Sequence, residues 1–150
     1  MRAVIQRVSS ASVNIEKNII AEIDAGLLIF LGIEDIDDQK DSSWLANKIA
    51  NLRIFADDSG KMNKSLIDIQ AEVIVVSQFT LHAKTKKGNR PSYIRAARTE
   101  DSLPLYHNFI EDMSAAIDKE VKSGEFGANM QVLLMNDGPV TIIIDTKNKE

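Results

Sequence analysis

Ser77-Gln78-Phe79-Thr80 ends an uninterrupted β-branched run, Val73-Ile74-Val75-Val76. A strand that finishes in hydroxyl, amide, aromatic and hydroxyl groups can present polar side chains beside backbone N–H groups, the parts of an oxyanion hole. An ordinary strand end capped by small polar groups is the simpler account of the tetrapeptide taken alone. Immediately after it comes an acid-free window. Between Glu72 and Glu100 lie Lys84, Lys86, Lys87, Arg90, Arg95 and Arg98 and no Asp or Glu, so the window is +6 in a chain of net charge −4 and the remainder sums to −10. Such segregation prepares one place on the molecule to meet a polyanion while the rest repels it. Within the window, Lys84-Thr85-Lys86-Lys87-Gly88-Asn89-Arg90-Pro91-Ser92-Tyr93 sets mobile cations next to a tyrosine, which suits phosphate contacts with a base or ribose nearby. A solvated loop could also be basic, but surfaces normally mix signs.

Gly138-Pro139, between two apolar segments, is a further candidate. The X-Pro bond reduces the trans preference to about 0.5–1 kcal/mol, so a rigid main-chain acceptor surface is accessible here. Asn136-Asp137-Gly138-Pro139 is equally good chemistry for a hairpin turn. The two histidines, His82 and His107, are the obvious general bases, yet neither has a nucleophile or a metal-ligand partner at useful spacing. No metal or other cofactor is expected. If the chain is an enzyme, it stabilises charge in another way.

These residues need elements to hold them. Residues 2 to 8, 11 to 15 and 19 to 23 read as a strand and a hairpin around Glu16-Lys17-Asn18, and Gly26-Leu27-Leu28-Ile29-Phe30-Leu31-Gly32-Ile33 reads as a central strand. Trp44, Leu45, Ile49 and Leu52 fall on one face of a helix over 39–52, behind candidate caps Asp41 and Ser42. A second helix is expected from Ser102, with Pro104 in its first turn, a stripe through Tyr106, Ile110, Met113, Ile117 and Val121, and a stop at Gly124. Asp57-Asp58-Ser59-Gly60-Lys61 reads as a solvated turn. Residues 131 to 135 and 140 to 145 form the last two strands, and a polar tail over 146–150 is expected to fray. This irregular order points to α+β.

Length and composition narrow the class. A chain of 150 residues, 44% hydrophobic, supports one domain over 1–150 and one sizeable core. It has no cysteine, which excludes disulfides and thiolate chemistry and agrees with a reducing cytoplasm. No segment approaches the roughly 20 apolar residues of a membrane span, so a soluble cytoplasmic protein without membrane partners is expected.

The ordered set of segments resembles the D-aminoacyl-tRNA deacylases. The resemblance runs through Arg2 to Val13, Gly26-Leu27-Leu28, Arg53-Ile54-Phe55, Gly60-Lys61-Met62-Asn63 and Ser77-Gln78-Phe79-Thr80-Leu81. It continues through Gly88 to Tyr93, Gly124 to Met130 and Asn136-Asp137-Gly138-Pro139-Val140-Thr141. It implies a mostly antiparallel, barrel-like sheet with two main helices, and hydrolysis of the ester between a D-amino acid and the terminal adenosine of tRNA, with glycine also admitted. It further implies that Ser77, Gln78, Phe79 and Thr80 form the catalytic pocket, with amides near Gln78 and Phe79 facing the oxyanion. Gly138-Pro139 would be cis and would reach into the partner's site in a homodimer with composite active sites, supported by Asn136 and Thr141. Lys84, Lys86, Lys87 and Arg90 would hold the acceptor end. The family's reaction is RNA-assisted, which removes the need for a protein base, and Thr80 is then assigned to pocket shape. A non-catalytic RNA- or DNA-binding module is the alternative. His82, where a small or apolar residue is expected, is a candidate for an RNA contact.

Overall fold

β1 (Arg2–Ile15) is the spine of the molecule, and its length decides the architecture. The computed structural model describes residues 1–150. After β1 come β2 (Asn18–Ile23), β3 (Gly26–Gly32), α1 (Gln39–Ala50), β4 (Phe55–Ala56), β5 (Met62–Lys64), α2 (Leu66–Ile69) and β6 (Glu72–Ser77). A 3-10 turn (Phe79–His82), α3 (Thr99–Ile117), β7 (Lys122–Ser123) and β8 (Gln131–Asp145) complete the chain. One edge of β1 pairs first with β3 and then with β2, and the other edge pairs with β8, all antiparallel. β6 joins β3 in parallel, β7 joins β6 in parallel, and the result is a nearly closed, barrel-like sheet.

Period-two alternation explains why β3 and β6 read as continuous apolar runs. Leu27, Ile29, Leu31, Val73 and Val75 face the main core with Leu45, Ile49, Tyr106, Phe109 and Met113 of α1 and α3. Leu28, Ile74 and Val76 face a second, smaller core with Val8, Val13 and Ile23. A strand buried on both faces has no polar side to show.

Several boundaries differ from the sequence expectation. α1 is capped by Asp38, because the carboxylate of Asp41 accepts the Asp38 N–H in a capping box while Asp38 accepts from Lys40 and Asp41. Ser42 is buried and donates to Asp112 of α3 at 2.7 Å. α3 begins at Thr99, three residues before Ser102, whose hydroxyl bonds back to the Arg98 carbonyl at 2.8 Å. It ends at Ile117 with Asp118 in the left-handed conformation, well before Gly124. The tail is not free at its start: Thr146 is buried, donates its N–H to the Met1 carbonyl at 2.8 Å, and is followed by Lys147 bonded to Asp41 at 2.6 Å.

The last two segments are not a hairpin. Residues 131–136 and 141–145 both pair antiparallel with β1 and make one strand, interrupted by a bulge in which Asp137, Gly138, Pro139 and Val140 leave the ladder between the pairs Gln6↔Thr141 and Val8↔Asn136. No helix is long and apolar enough to cross a membrane.

Candidate active site

β6 ends at Ser77, three residues earlier than the sequence suggests, and Phe79–His82 coils into the 3-10 turn. The turn packs against β3 at Gly32, where a Cβ would lie 3.0 Å from the Gln78 carbonyl oxygen, Leu81 Cβ and His82 Cδ2. Glycine lets the turn pack this closely, because any Cβ would press on all three. Arg2 fixes the far side. Its Nη1 donates to the Leu81 carbonyl at 2.6 Å while Nε and Nη2 hold Asp145 at 3.0 and 2.7 Å.

The turn opens onto a cleft of about 510 Å³. Ser77, Gln78 and Phe79 line one side, Tyr93, Ala96 and Ala97 a second, and Phe126, Asn129 and Met130 a third. The Gln78 N–H is engaged by the Leu31 carbonyl at 2.8 Å, whereas the N–H groups of Phe79 and Thr80 donate to no protein acceptor. Of the two amides expected to face an oxyanion, that of Gln78 is therefore occupied by the sheet. Thr80 is not among the cleft-lining residues, and its hydroxyl accepts from Gln78 Nε2 at 2.5 Å. No carboxylate, imidazole, lysine or arginine lines the cleft. A general base is thus absent from its walls.

The cationic window lies beside this cleft. Backbone bonds of 2.8 and 3.0 Å between Lys84 and Ser92 close the base of a loop whose apex is Gly88, and Lys84, Lys86, Lys87 and Arg90 on it are exposed. None of these four makes an ion pair, and neither does Arg95. Only Arg98 has a counter-charge, Glu100 at 3.7 Å. At the foot of the loop Tyr93 meets the exposed ring of Phe79 edge-on, with centroids 5.0 Å apart.

Gly138-Pro139 is placed elsewhere. The peptide bond is cis, the loop is exposed, and it is absent from the lining of its own chain's cleft. Asn136 pins the loop's base, donating to the carbonyls of Arg7 at 2.9 Å and Val140 at 3.1 Å. Thr141 donates only a long 3.5 Å bond to Asn136. Arg7 braces the loop from below: Nη1 donates to the Ile54 carbonyl at 2.5 Å and Nε lies 3.1 Å from the Asp137 carboxylate. That last contact is an ion pair without hydrogen-bond alignment, since Nε has no acceptor in line. Sequence reasoning passes over Arg7.

His82, the candidate for an RNA contact, is 3% exposed with Nδ1 4.0 Å from Glu34, so its ring packs inside the chain beneath the turn. His107 is exposed on α3 and is not among the cleft-lining residues. Phe126, Asn129 and Met130 are cleft residues that no local pattern marks, although they fall within the Gly124 to Met130 segment that carries part of the resemblance.

Comparison with known proteins shows the family. The D-Tyr-tRNA(Tyr) deacylase family model matches residues 4–145. Proteins named D-aminoacyl-tRNA deacylase from Bacteroides fragilis and Flavobacterium psychrophilum are 60% and 59% identical over 150 residues, covering 100% of each chain. Among solved structures, the c-Myc DNA Unwinding Element Binding Protein superposes with TM-score 0.91 at 43% identity, covering 97% of this chain and 98% of that one. A probable eukaryotic D-amino acid tRNA deacylase shares the fold at TM-score 0.82 and 15% identity, covering 95% of this chain and 97% of that one. With its whole length matched and its motifs in place, the chain belongs to the D-Tyr-tRNA(Tyr) deacylase family.

Proposed function

We propose that this protein hydrolyses the ester joining a D-amino acid to the terminal adenosine of a tRNA, in the cytoplasm, releasing both. The observation that carries the reading is the unengaged N–H of Phe79, with that of Thr80 next to it in the turn, on a cleft that has no histidine, carboxylate or amine on its walls and adjoins an unpaired cationic loop. Water adds to the ester carbonyl, the N–H groups hold the developing oxyanion, the carbon–oxygen bond to the ribose breaks, and the ribose oxygen takes up a proton. With no base on the walls, the adjacent ribose hydroxyl assists the attack, and the protein's task is to position and polarise. Thr80, held by the Gln78 amide, shapes the turn. Lys84, Lys86, Lys87 and Arg90 receive the acceptor end.

Chirality belongs to Gly138-Pro139 in this reading. Main-chain carbonyls there hold the substrate ammonium, a D side chain points outward, and an L side chain strikes the backbone, which excludes it without reading the side chain. Glycine passes because it has nothing to clash. The loop serves the partner's cleft in a homodimer. Two features support this: the loop lies outside its own chain's cleft, and β8 leaves the large apolar side chains of Leu133, Met135 and Ile143 exposed.

Release of tyrosine from matched D- and L-tyrosyl-tRNA is the test, with a 2′-deoxyadenosine-terminated D-substrate beside them. Comparable D and L rates would overturn the chirality assignment, and equal rates with and without the hydroxyl would overturn the RNA-assisted step. The 43% identity to a protein named for DNA binding favours one second reading, a nucleic-acid-binding module. That reading predicts tRNA binding without release of amino acid.

A further inference from the structure

A second depression, a trough of about 560 Å³, lies on the other side of the segment that walls the cleft. Residues 93–97 are the shared wall. Their turn is closed by the Ala96 N–H on the Tyr93 carbonyl at 2.9 Å and docked to the end of β3 by the Ala97 N–H on Ile33 at 3.0 Å. Tyr93, Ala96 and Ala97 face the cleft, whereas Ile94 and Arg95 face the trough.

The trough's lining divides into groups already satisfied and groups left free. Arg2 holds Asp145, Lys147 holds Asp41, and Glu34 faces His82. Free are two cations, Lys84 and Arg95, and two large aliphatic side chains, Ile36 and Ile94, which are 68% and 74% exposed. Asp35 is the one lining carboxylate with no partner among the ion pairs and hydrogen bonds, and it suits the amino edge of a base. Unpaired cations beside exposed apolar side chains suit a single-stranded nucleic acid, with charge for the phosphate and apolar surface against which the face of a base can pack. A surface made for a protein would gather its apolar residues at a centre and place charge at the rim.

We propose that the trough seats the nucleotide 5′ of the terminal adenosine, with Arg95 and Lys84 on the connecting phosphate and Ile36 and Ile94 beneath the base. The strand then crosses the wall at Tyr93–Ala96 and delivers its last residue to the cleft. The inference rests on the reading of the cleft as the aminoacyl-adenosine site.

Binding and hydrolysis separate the two readings. Affinities of the protein for fluorescently labelled CpCpA and for AMP are measured by anisotropy or competition, and hydrolysis of D-tyrosyl-adenosine is measured in parallel. In the double variant Ile94→Ser/Arg95→Gln, CpCpA affinity should fall about tenfold while AMP affinity stays the same. Both positions are exposed, so the fold is retained, and a circular dichroism melt verifies it. Unchanged CpCpA affinity, or an equal loss for AMP, overturns the trough assignment. Failure of the unaltered protein to hydrolyse D-tyrosyl-adenosine or D-tyrosyl-tRNA, with the CpCpA effect intact, overturns the activity and leaves the trough standing.

Discussion

A side chain on Gly138 would begin 2.8 Å from Nη2 of Arg7, and Gly138 itself sits at φ 116°. The backbone conformation calls for glycine, and any Cβ would also push the end of the Arg7 side chain out of its place under the loop. Gly138→Ala should therefore displace the exposed loop from its brace while leaving the cores untouched. Deacylation of D-tyrosyl-tRNA is expected to fall at least tenfold, on the order of 1.4 kcal/mol or more in transition-state stabilisation, with a melting temperature within a few degrees of the unaltered protein. Steady-state kinetics beside calorimetry checks the split.

Thr80 offers a sharper contrast. Its hydroxyl accepts a hydrogen bond from Gln78 and makes none to an imidazole, carboxylate or amine. Thr80→Ala should cost less than about tenfold in single-turnover rate, whereas loss of a true nucleophile costs several orders of magnitude. A drop of a thousandfold or more would restore the threonine as the attacking group.

The unpaired loop gives a salt prediction. Replacing Lys86, Lys87 and Arg90 with glutamine should weaken tRNA binding and reduce the magnitude of the slope of log affinity against log salt by about 2, near 0.7 for each single-strand phosphate left without its cation. Filter binding across a salt series measures it. An unchanged slope would place the RNA elsewhere.

Acid stability should depend on Asp41. Burial would raise its pKa, but the Lys147 ammonium and the Asp38 N–H outweigh that and hold it at about 2. A folded pKa below the unfolded one contributes stability above the ordinary carboxylate range and loses it as pH falls toward about 2. Lys147 is a third exposed, so the contribution is discounted. Asp41→Asn should cost about 1–2 kcal/mol at pH 7, with the difference vanishing toward pH 2 in urea titrations.

Base stability should depend on Tyr106. Burial raises its phenol to about 12, and the hydroxyl donates to the Val75 carbonyl at 2.9 Å. A raised folded pKa means that its contribution is complete below the unfolded value near 10 and disappears as pH climbs to about 12. Tyr106→Phe should cost about 1 kcal/mol at neutral pH and flatten the alkaline limb of the stability curve. An unaltered alkaline limb would mean that another group controls it.

Much of this molecule is legible from residue pattern. Leu27 to Leu31 and Val73 to Val76 announce strands buried on both faces, and Leu45 with Ile49 announces the face of α1. What escapes depends on partners that the local sequence does not display. Asp38 caps α1 only because Asp41 bonds back to it. The 3-10 turn at Phe79 packs against Gly32, far away in sequence. The end of the chain is one strand because β1 is long enough to pair with both halves, and no turn motif encodes the length of a neighbour. The chemistry of Ser77, Gln78 and Phe79 places them at a cleft, but the occupied Gln78 amide and the buried face of His82 emerge only from packing.

The bulge in β8 bears on how this loop could arise or be lost. Four residues, 137 to 140, stand where β1 offers only Arg7 between Gln6 and Val8, an excess of three. The loop is thus a three-residue insertion within a ladder otherwise irregular only at Ser9, and excising three residues would restore the pairing instead of breaking the sheet. A barrel of this kind can gain or shed this loop without refolding, so that the selection proposed for it would be a detachable part of the scaffold.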